Sequence, residues 1–435
     1  MKLKYLLVLF TLALCFAFSL ILESKLVAIL IIWAGFLVFI RFSGHLFFHA
    51  KTEEEDHTLL FFKNIFVIAF LIRITACVIL YHSPIRQIGP YFFAPDSYYY
   101  AKKGWVIAQL WLGNIDQFTY DAMISSWGRN IYFKFHALCY YVVGEKIELL
   151  PASFNCLAGA ILPIISYFNV REFGVSKKCA RWVATLICFW PSLILWSCIG
   201  IRDIWSILAF NTLLLGLIKF TKTRNKSWII LMGLCLLLIF AIRAYLLPLT
   251  LIALFASFFI SNSKNIPLTF FLSLVAIVLI NQLDARFGIS AYLEPSNVEF
   301  LRGAYSRHGS GFQVNADLSS PLGYIKLISV SLVYYLFAPF PWAFGSKLSM
   351  FAMPETLSFY VLFYFIIKGI RLQIQVNIKA VLPLLLLVTV ISCSYALVEA
   401  NVGTLYRHKA QVVTMLLLFG PIGFYYRKIP LRKKS

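Results

Sequence analysis

The stretch "FAPDSYYYAKKGW", Phe93 to Trp105, follows an apolar run and sets one carboxylate, Asp96, between a proline and three tyrosines. A carboxylate at that depth suits a general base that takes the proton of an acceptor hydroxyl, with Tyr98, Tyr99, Tyr100 and Trp105 as an aromatic belt. The same residue after Pro95 also suits the cap of a short helix running from Ser97. In "CIGIRDIWS" the pair Arg202-Asp203 is flanked by apolar residues on both sides. Charge is expensive there and is kept for pairing or function, while Asp203 also fits the cap of the helix that follows. Arg243, then "RGAYSRHGSG" with Arg302, Arg307 and His308, then "EANVGTLYRHK" with Glu399, Arg407, His408 and Lys409 supply cations suited to hold anionic oxygens. The Gly-Ser-Gly run after His308 fits a mobile loop approaching phosphate, and equally a plain linker.

The elements that must position these groups are hydrophobic. Of 435 residues, 61% are apolar and 13% charged, against about a quarter charged in soluble domains. Apolar runs sit near 5–22, 26–41, 59–82, 150–169, 181–200, 204–221, 227–242, 244–261, 266–283, 354–371, 378–398 and 409–426. Each is read as a membrane span. Two further runs, 131–144 and 323–343, are ambiguous. Leaving both out puts Arg41 and Lys51, Arg171 to Arg181, Lys222 to Lys226, Lys368 to Lys379 and the tail "RKIPLRKKS" on the side of Lys2 and Lys4. Counting 323–343 alone would export the basic C-terminus. Counting both would export Arg171 to Arg181.

The expectation is therefore an all-α polytopic membrane protein of about twelve helices with both ends cytoplasmic. The two ambiguous runs become interfacial or re-entrant helices on the outer face. The first run, after Met1-Lys2-Leu3-Lys4, lacks a small-residue cleavage site and reads as a retained helix. One membrane domain, 1–435, carries two large outer loops, 83–149 and 284–353, and all the candidate residues fall on that outer face together with Asp284 and Arg286. The net charge of +21 comes from scattered loop clusters and not from a basic groove, so nucleic acid is not expected as a partner. The nine cysteines show no ligand spacing and read as core residues. His45, His49, His57, His82 and His136 read as ordinary interface polar residues, and no metal or cofactor is expected, a divalent ion having no support from ligand spacing. Arg73, inside the third span, either snorkels outward or faces a polar cavity.

Span pair, third span, outer loop with Asp96, the amphipathic run "NIYFKFHALCYYVVGEK", two spans and a second outer acid in "GIRD": this order resembles the GT-C superfamily of membrane glycosyltransferases. Protein mannosyltransferases and lipid A aminoarabinose transferases are the relatives in view. The likeness covers most of the first 220 residues. Many relatives carry Asp-Glu in the first loop and "HPPL" in the surface helix, where this chain has Asp96-Ser97 and "FKFHALCYY".

The resemblance implies inverting transfer of a sugar from a polyprenyl-phosphate donor to a glycan or lipid acceptor outside the cytoplasmic membrane of a bacterium. Asp96 and Asp203 would be its acids. Arg202, Arg243, Arg302, Arg307, His308, Arg407 and His408 would neutralise donor phosphate. The rival expectations are a surface-polysaccharide polymerase gripping two lipid pyrophosphates and a lipid-linked glycan flippase without chemistry. A transporter would show repeated halves with polar sites at the midplane, whereas these ionisable groups gather at one face.

Overall fold

A computed structural model describes residues 33–34, 53–82, 89–123, 131–261, 294–307, 310–343 and 347–426. The runs expected to span at 5–22, 26–41 and 266–283 lie outside these residues save for Trp33 and Ala34, as do Asp284, Arg286, His308 and the basic tail. Among the described residues the chain is all helix and turn. Its β-pairing is an isolated antiparallel bridge between Gly311 and Asn401.

Four helices are long and apolar enough to cross a membrane: His57–His82, Leu149–Glu172, Asp203–Thr223 and Ser349–Val398. A fifth arises if Lys177–Cys188 and Pro191–Cys198, bent by 52° about Phe189 and Trp190, count as one. The described chain is thus an all-α membrane protein with four or five candidate spans. The run expected as one span at 181–200 is this bent pair. Both ambiguous runs are short helices, Ile131–Val143 and Pro321–Phe337.

The chain divides into two compact units, Met1–Ile164 with Ile194–Ile204, and Ile165–Leu193 with Trp205–Ser435. The first unit contains α1 (Glu53–His82), α2 (Pro90–Phe93), α3 (Asp96–Trp111), α4 (Gln117–Met123), α5 (Ile131–Val143) and the first part of α6 (Leu149–Glu172). Pro90 at its start fixes α2 in a helical first turn. The amphipathic α3 and α5 pack face to face through aromatic rings: Tyr100 lies 5.0 Å from Tyr132 and 4.9 Å from Phe133, centroid to centroid. Such edge-on and tilted pairs add about 0.5–1.5 kcal/mol beyond area burial.

The second unit holds α7 (Lys177–Cys188), the first residues of α8 (Pro191–Cys198) and most of α9 (Asp203–Thr223), then α10 (Ser227–Ile242), α11 (Leu246–Ser261), α12 (Pro295–Ser306), α13 (Pro321–Phe337), α14 (Lys347–Val398), α15 (Val402–Leu417) and α16 (Gly420–Tyr425). Its helix starts are written locally. The Ser176 side chain accepts from Cys179 N, Ser320 from Gly323 N ahead of Pro321, and Asn401 from Gly403 and Thr404 N. The 52-residue α14 would run roughly 78 Å if straight, over twice a hydrocarbon core. It breaks at Asn377 (φ −157°, ψ 74°), whose side chain accepts from Ala380 N at 3.3 Å and caps the second half. The expected pair of spans, 354–371 and 378–398, is joined here by one non-helical residue. Val298, Leu318, Leu327 and Leu397 form the buried cluster that seats α12 and α13 against the end of α14.

Candidate functional site

In the first unit the two acids occupy opposite environments. Asp96 is the first residue of α3 and is exposed; the cap position belongs to Pro95, which makes no side-chain cap bond. The expected helix from Ser97 capped by Asp96 is therefore corrected by one residue, since Pro95 with φ −55° already starts the helical turn. Ser97 turns inward, its hydroxyl donating to Ala94 O at 2.7 Å. Tyr98 and Tyr99 beside Asp96 are exposed, while Tyr100 is buried in the α3–α5 seam. Tyr91 donates to Glu148, which ties α2 to the start of α6. Burial pushes the Tyr91 phenol up, and the Glu148 carboxylate pushes it further.

Asp203 is fully buried at the head of α9, where the positive end of the helix favours a carboxylate, and Arg202 beside it is half-buried. The turn ahead of them is gripped from three helices. Asn155 of α6 donates its amide to Ile199 O (2.6 Å) and Ile201 O (2.7 Å) and accepts from Tyr132 of α5 (3.1 Å). Tyr81 of α1 accepts from Gly200 N at 3.0 Å. His136, expected as an ordinary interface residue, is instead buried at 1% exposure against Gly200. Asn155 and Tyr81 carry no sequence signal beyond being polar positions inside apolar runs.

Arg73 does not snorkel. Its side chain is fully buried, with Nη1 donating to Ala69 O at 3.0 Å, and the guanidinium lies over Gly159. A Cβ at position 159 would stand 2.7 Å from Arg73 Nε, so the glycine makes room for the cation.

In the second unit the candidate cations meet at the corner between α14 and α15, and most are already engaged. Arg302 donates Nη1 to the carbonyls of Ala396 (3.1 Å), Leu397 (3.3 Å) and Glu399 (3.2 Å), ending α14 as a cationic cap. Burial draws its guanidinium down to about 10, still cationic at neutral pH. Arg243 Nη1 donates to Tyr245 Oη (2.6 Å), Tyr395 Oη (3.1 Å) and His408 Nε2 (3.0 Å). His408 pairs through Nδ1 with Glu399. Arg407 is buried on the first turns of α15, whereas Arg307 closes α12 exposed to solvent.

The segment read as a mobile loop is strapped down at residues 310–312. Phe312 N donates to Ala400 O (2.9 Å), Val402 N to Ser310 O (3.0 Å), and the Ser310 hydroxyl to Asn401 Oδ1 (2.9 Å). A Cβ on Gly311 would fall 2.0 Å from Ser306 O, so the glycine serves close approach here.

Two buried charges were missed as a pair. Glu355 accepts from Trp190 Nε1 (2.8 Å), Ser192 N (2.6 Å), Ser192 Oγ (2.8 Å) and Tyr406 Oη (2.8 Å), and so pins the bend between α7 and α8. Lys409 is 2% exposed and donates to Leu336 and Ala338 carbonyls at the end of α13. Among the described residues no three His, Cys, Asp or Glu side chains gather as metal ligands. No family model, curated protein or solved structure matches the chain.

Proposed function

We propose that this chain is a membrane glycosyltransferase that moves a sugar from a polyprenyl-phosphate-linked donor to a glycan or lipid acceptor at the extracytoplasmic face. The observation that carries the reading is Asp96: an exposed carboxylate at the head of α3, braced by the α3–α5 aromatic seam, between the candidate spans α1 and α6. A carboxylate so placed is open to a hydroxyl arriving from water and lies next to exposed Tyr98 and Tyr99, residues suited to the headgroup level. Asp96 takes the acceptor's proton as the hydroxyl oxygen attacks the sugar's anomeric carbon. The phosphate leaves with the bonding electrons, and cations stabilise its charge. The second acid, Asp203, is buried, so its part is to fix the "GIRD" turn.

The test is turnover of a polyprenyl-phosphate sugar by purified protein carrying Asp96→Asn. Loss of a general base costs about 10²–10⁴ in rate. Turnover within a few-fold of wild type at equal protein overturns the assignment of Asp96.

A further inference from the structure

At one end of the second unit several helix ends come together around Glu172. Its carboxylate accepts from Lys219 (2.6 Å) and Lys222 (2.8 Å), which ties the end of α9 to the end of α6. Phe173, the next residue, stacks on Phe419 at 5.7 Å between centroids, and Ser176 N donates to Tyr426 Oη at 3.0 Å, so α16 closes on the same turn. That helix lies in turn against α14, where a Cβ on Gly369 would stand 2.2 Å from Phe419 O. The segments so joined carry the basic clusters 171–181, 219–226 and 368–371, and Glu172 is the one acid among them. Lys219 and Lys222 already neutralise it. Lys178, Arg224, Lys226 and Arg371 are exposed and make no ion pair among the described residues.

Exposed apolar side chains stand beside each group of these cations. Trp182 follows Arg181 at 54% exposure, Ile229 and Ile230 follow Lys226, the second at 67%, and Ile374 follows Arg371. Lys178 Nζ sits 5.7 Å from the centroid of the exposed Tyr425 ring. The cations crown the ends of two candidate spans, which close at Glu172 and Thr223. Positive charge at a span's end with apolar side chains next to it fits a ligand divided the same way, an anionic headgroup above acyl chains. A soluble anion would use the cations and leave Trp182 and Ile230 in water. We propose that this end of the second unit is a docking surface for acidic phospholipid, with phosphodiester headgroups among Lys178, Arg224, Lys226 and Arg371 and acyl chains beside Trp182 and Ile230. The proposal is independent of the sugar-transfer reading. Zwitterionic lipid covers the apolar part equally well and leaves the cations repelling one another. Preference for the acidic headgroup is therefore electrostatic, up to about fivefold for each cation near it, and weakens as salt screens it.

The experiment titrates brominated phosphatidylglycerol or brominated phosphatidylcholine into the full chain in neutral-detergent micelles and reads quenching of tryptophan fluorescence, at low and at high potassium chloride. Wild type is expected to prefer phosphatidylglycerol by about tenfold or more at low salt and to lose most of that preference at high salt. Lys178→Gln, Lys226→Gln and Arg371→Gln combined in one chain should bring the two lipids to within about twofold of each other. Where that chain is not monodisperse the single variants decide, each expected to lose about twofold to fivefold. Trp182→Phe should remove part of the quenching that distinguishes the lipids. Lys102→Gln with Lys134→Gln removes the same kind of charge from exposed positions of the first unit and should keep the wild-type preference. Equal association of both lipids with wild type, or a wild-type preference in the combined or single variants, overturns the proposal. Equal losses in the Lys102/Lys134 control and the combined variant overturn it in favour of the chain's net charge of +21. Glycerol 1-phosphate, the headgroup without its chains, is the competing probe; displacement of the lipid by it at matched concentration overturns the lipid surface in favour of a soluble-anion site.

Discussion

The indole N–H of Trp190 donates to Oε1 of Glu355 at 2.8 Å, across 165 residues of chain. Glu355 also receives the backbone N–H of Ser192, in the first turn of α8, so a buried carboxylate holds the start of a helix at the bend of a broken span. Glu355→Ala strands the Trp190, Ser192 and Tyr406 donors in an apolar interior. The expected loss is about 3–5 kcal/mol, the cost of breaking a buried charged network. Trp190→Phe removes one donor and should cost about 1–3 kcal/mol. Denaturation midpoints of the detergent-solubilised protein check both, and Glu355→Ala as stable as wild type overturns the anchoring role.

Asp96 and Asp203 should part company when each is changed to Asn. Asp96 is exposed at the head of α3, and Asn keeps its size and its acceptor oxygen, so its variant should reach wild-type abundance in membranes. Asp203 is fully buried at a helix head, where losing the charge forfeits the favourable interaction with the helix dipole, up to about 2 kcal/mol. Abundance should fall for Asp203→Asn alone. The measurement is quantitative immunoblotting of membranes, and equal losses in both variants would contradict the assignment.

Asn401 accepts from two backbone N–H groups of α15 and from Ser310. Asn401→Ala should cost about 1–2 kcal/mol as a lost cap. Gly311→Ala, with a Cβ 2.0 Å from Ser306 O, should loosen the strap more. Limited proteolysis between α12 and α13 reads both: faster cleavage is expected, in the order Gly311→Ala, Asn401→Ala, wild type.

Charge bias makes a topological forecast. Exposed Lys178, Lys226 and Lys379 should be cytoplasmic, and exposed Tyr99, Arg307 and Asp317 extracytoplasmic. Single cysteines at these positions in a cysteine-depleted chain, labelled with an impermeant maleimide, decide it. Labelling of position 307 from the cytoplasmic side only would sink the outer-face assignment on which the proposed reaction depends.

The sequence by itself determined the membrane class and, among the described residues, most positions of the long apolar helices. Apolar runs of span length, broken by charged or Gly/Pro-bearing turns, have one low-energy answer in lipid, because every backbone N–H must be satisfied within its own segment. That is why 150–169 and 204–221 reappear as α6 and α9, and why 131–144 reappears as a short helix. The sequence also singled out Arg243, Arg302 and His408 as outer-face cations suited to hold anionic oxygens. Only the tertiary structure decided what those charges do. Arg302 ends α14, Lys409 ends α13, and His408 stands between Glu399 and Arg243, because hydrogen bonds between helices distant in sequence depend on distances of a few tenths of an ångström that no local pattern encodes. The same holds for Glu355, which reads as a helix-interior acid in "FAMPETLSFY" until the bend at Trp190 brings its donors into range.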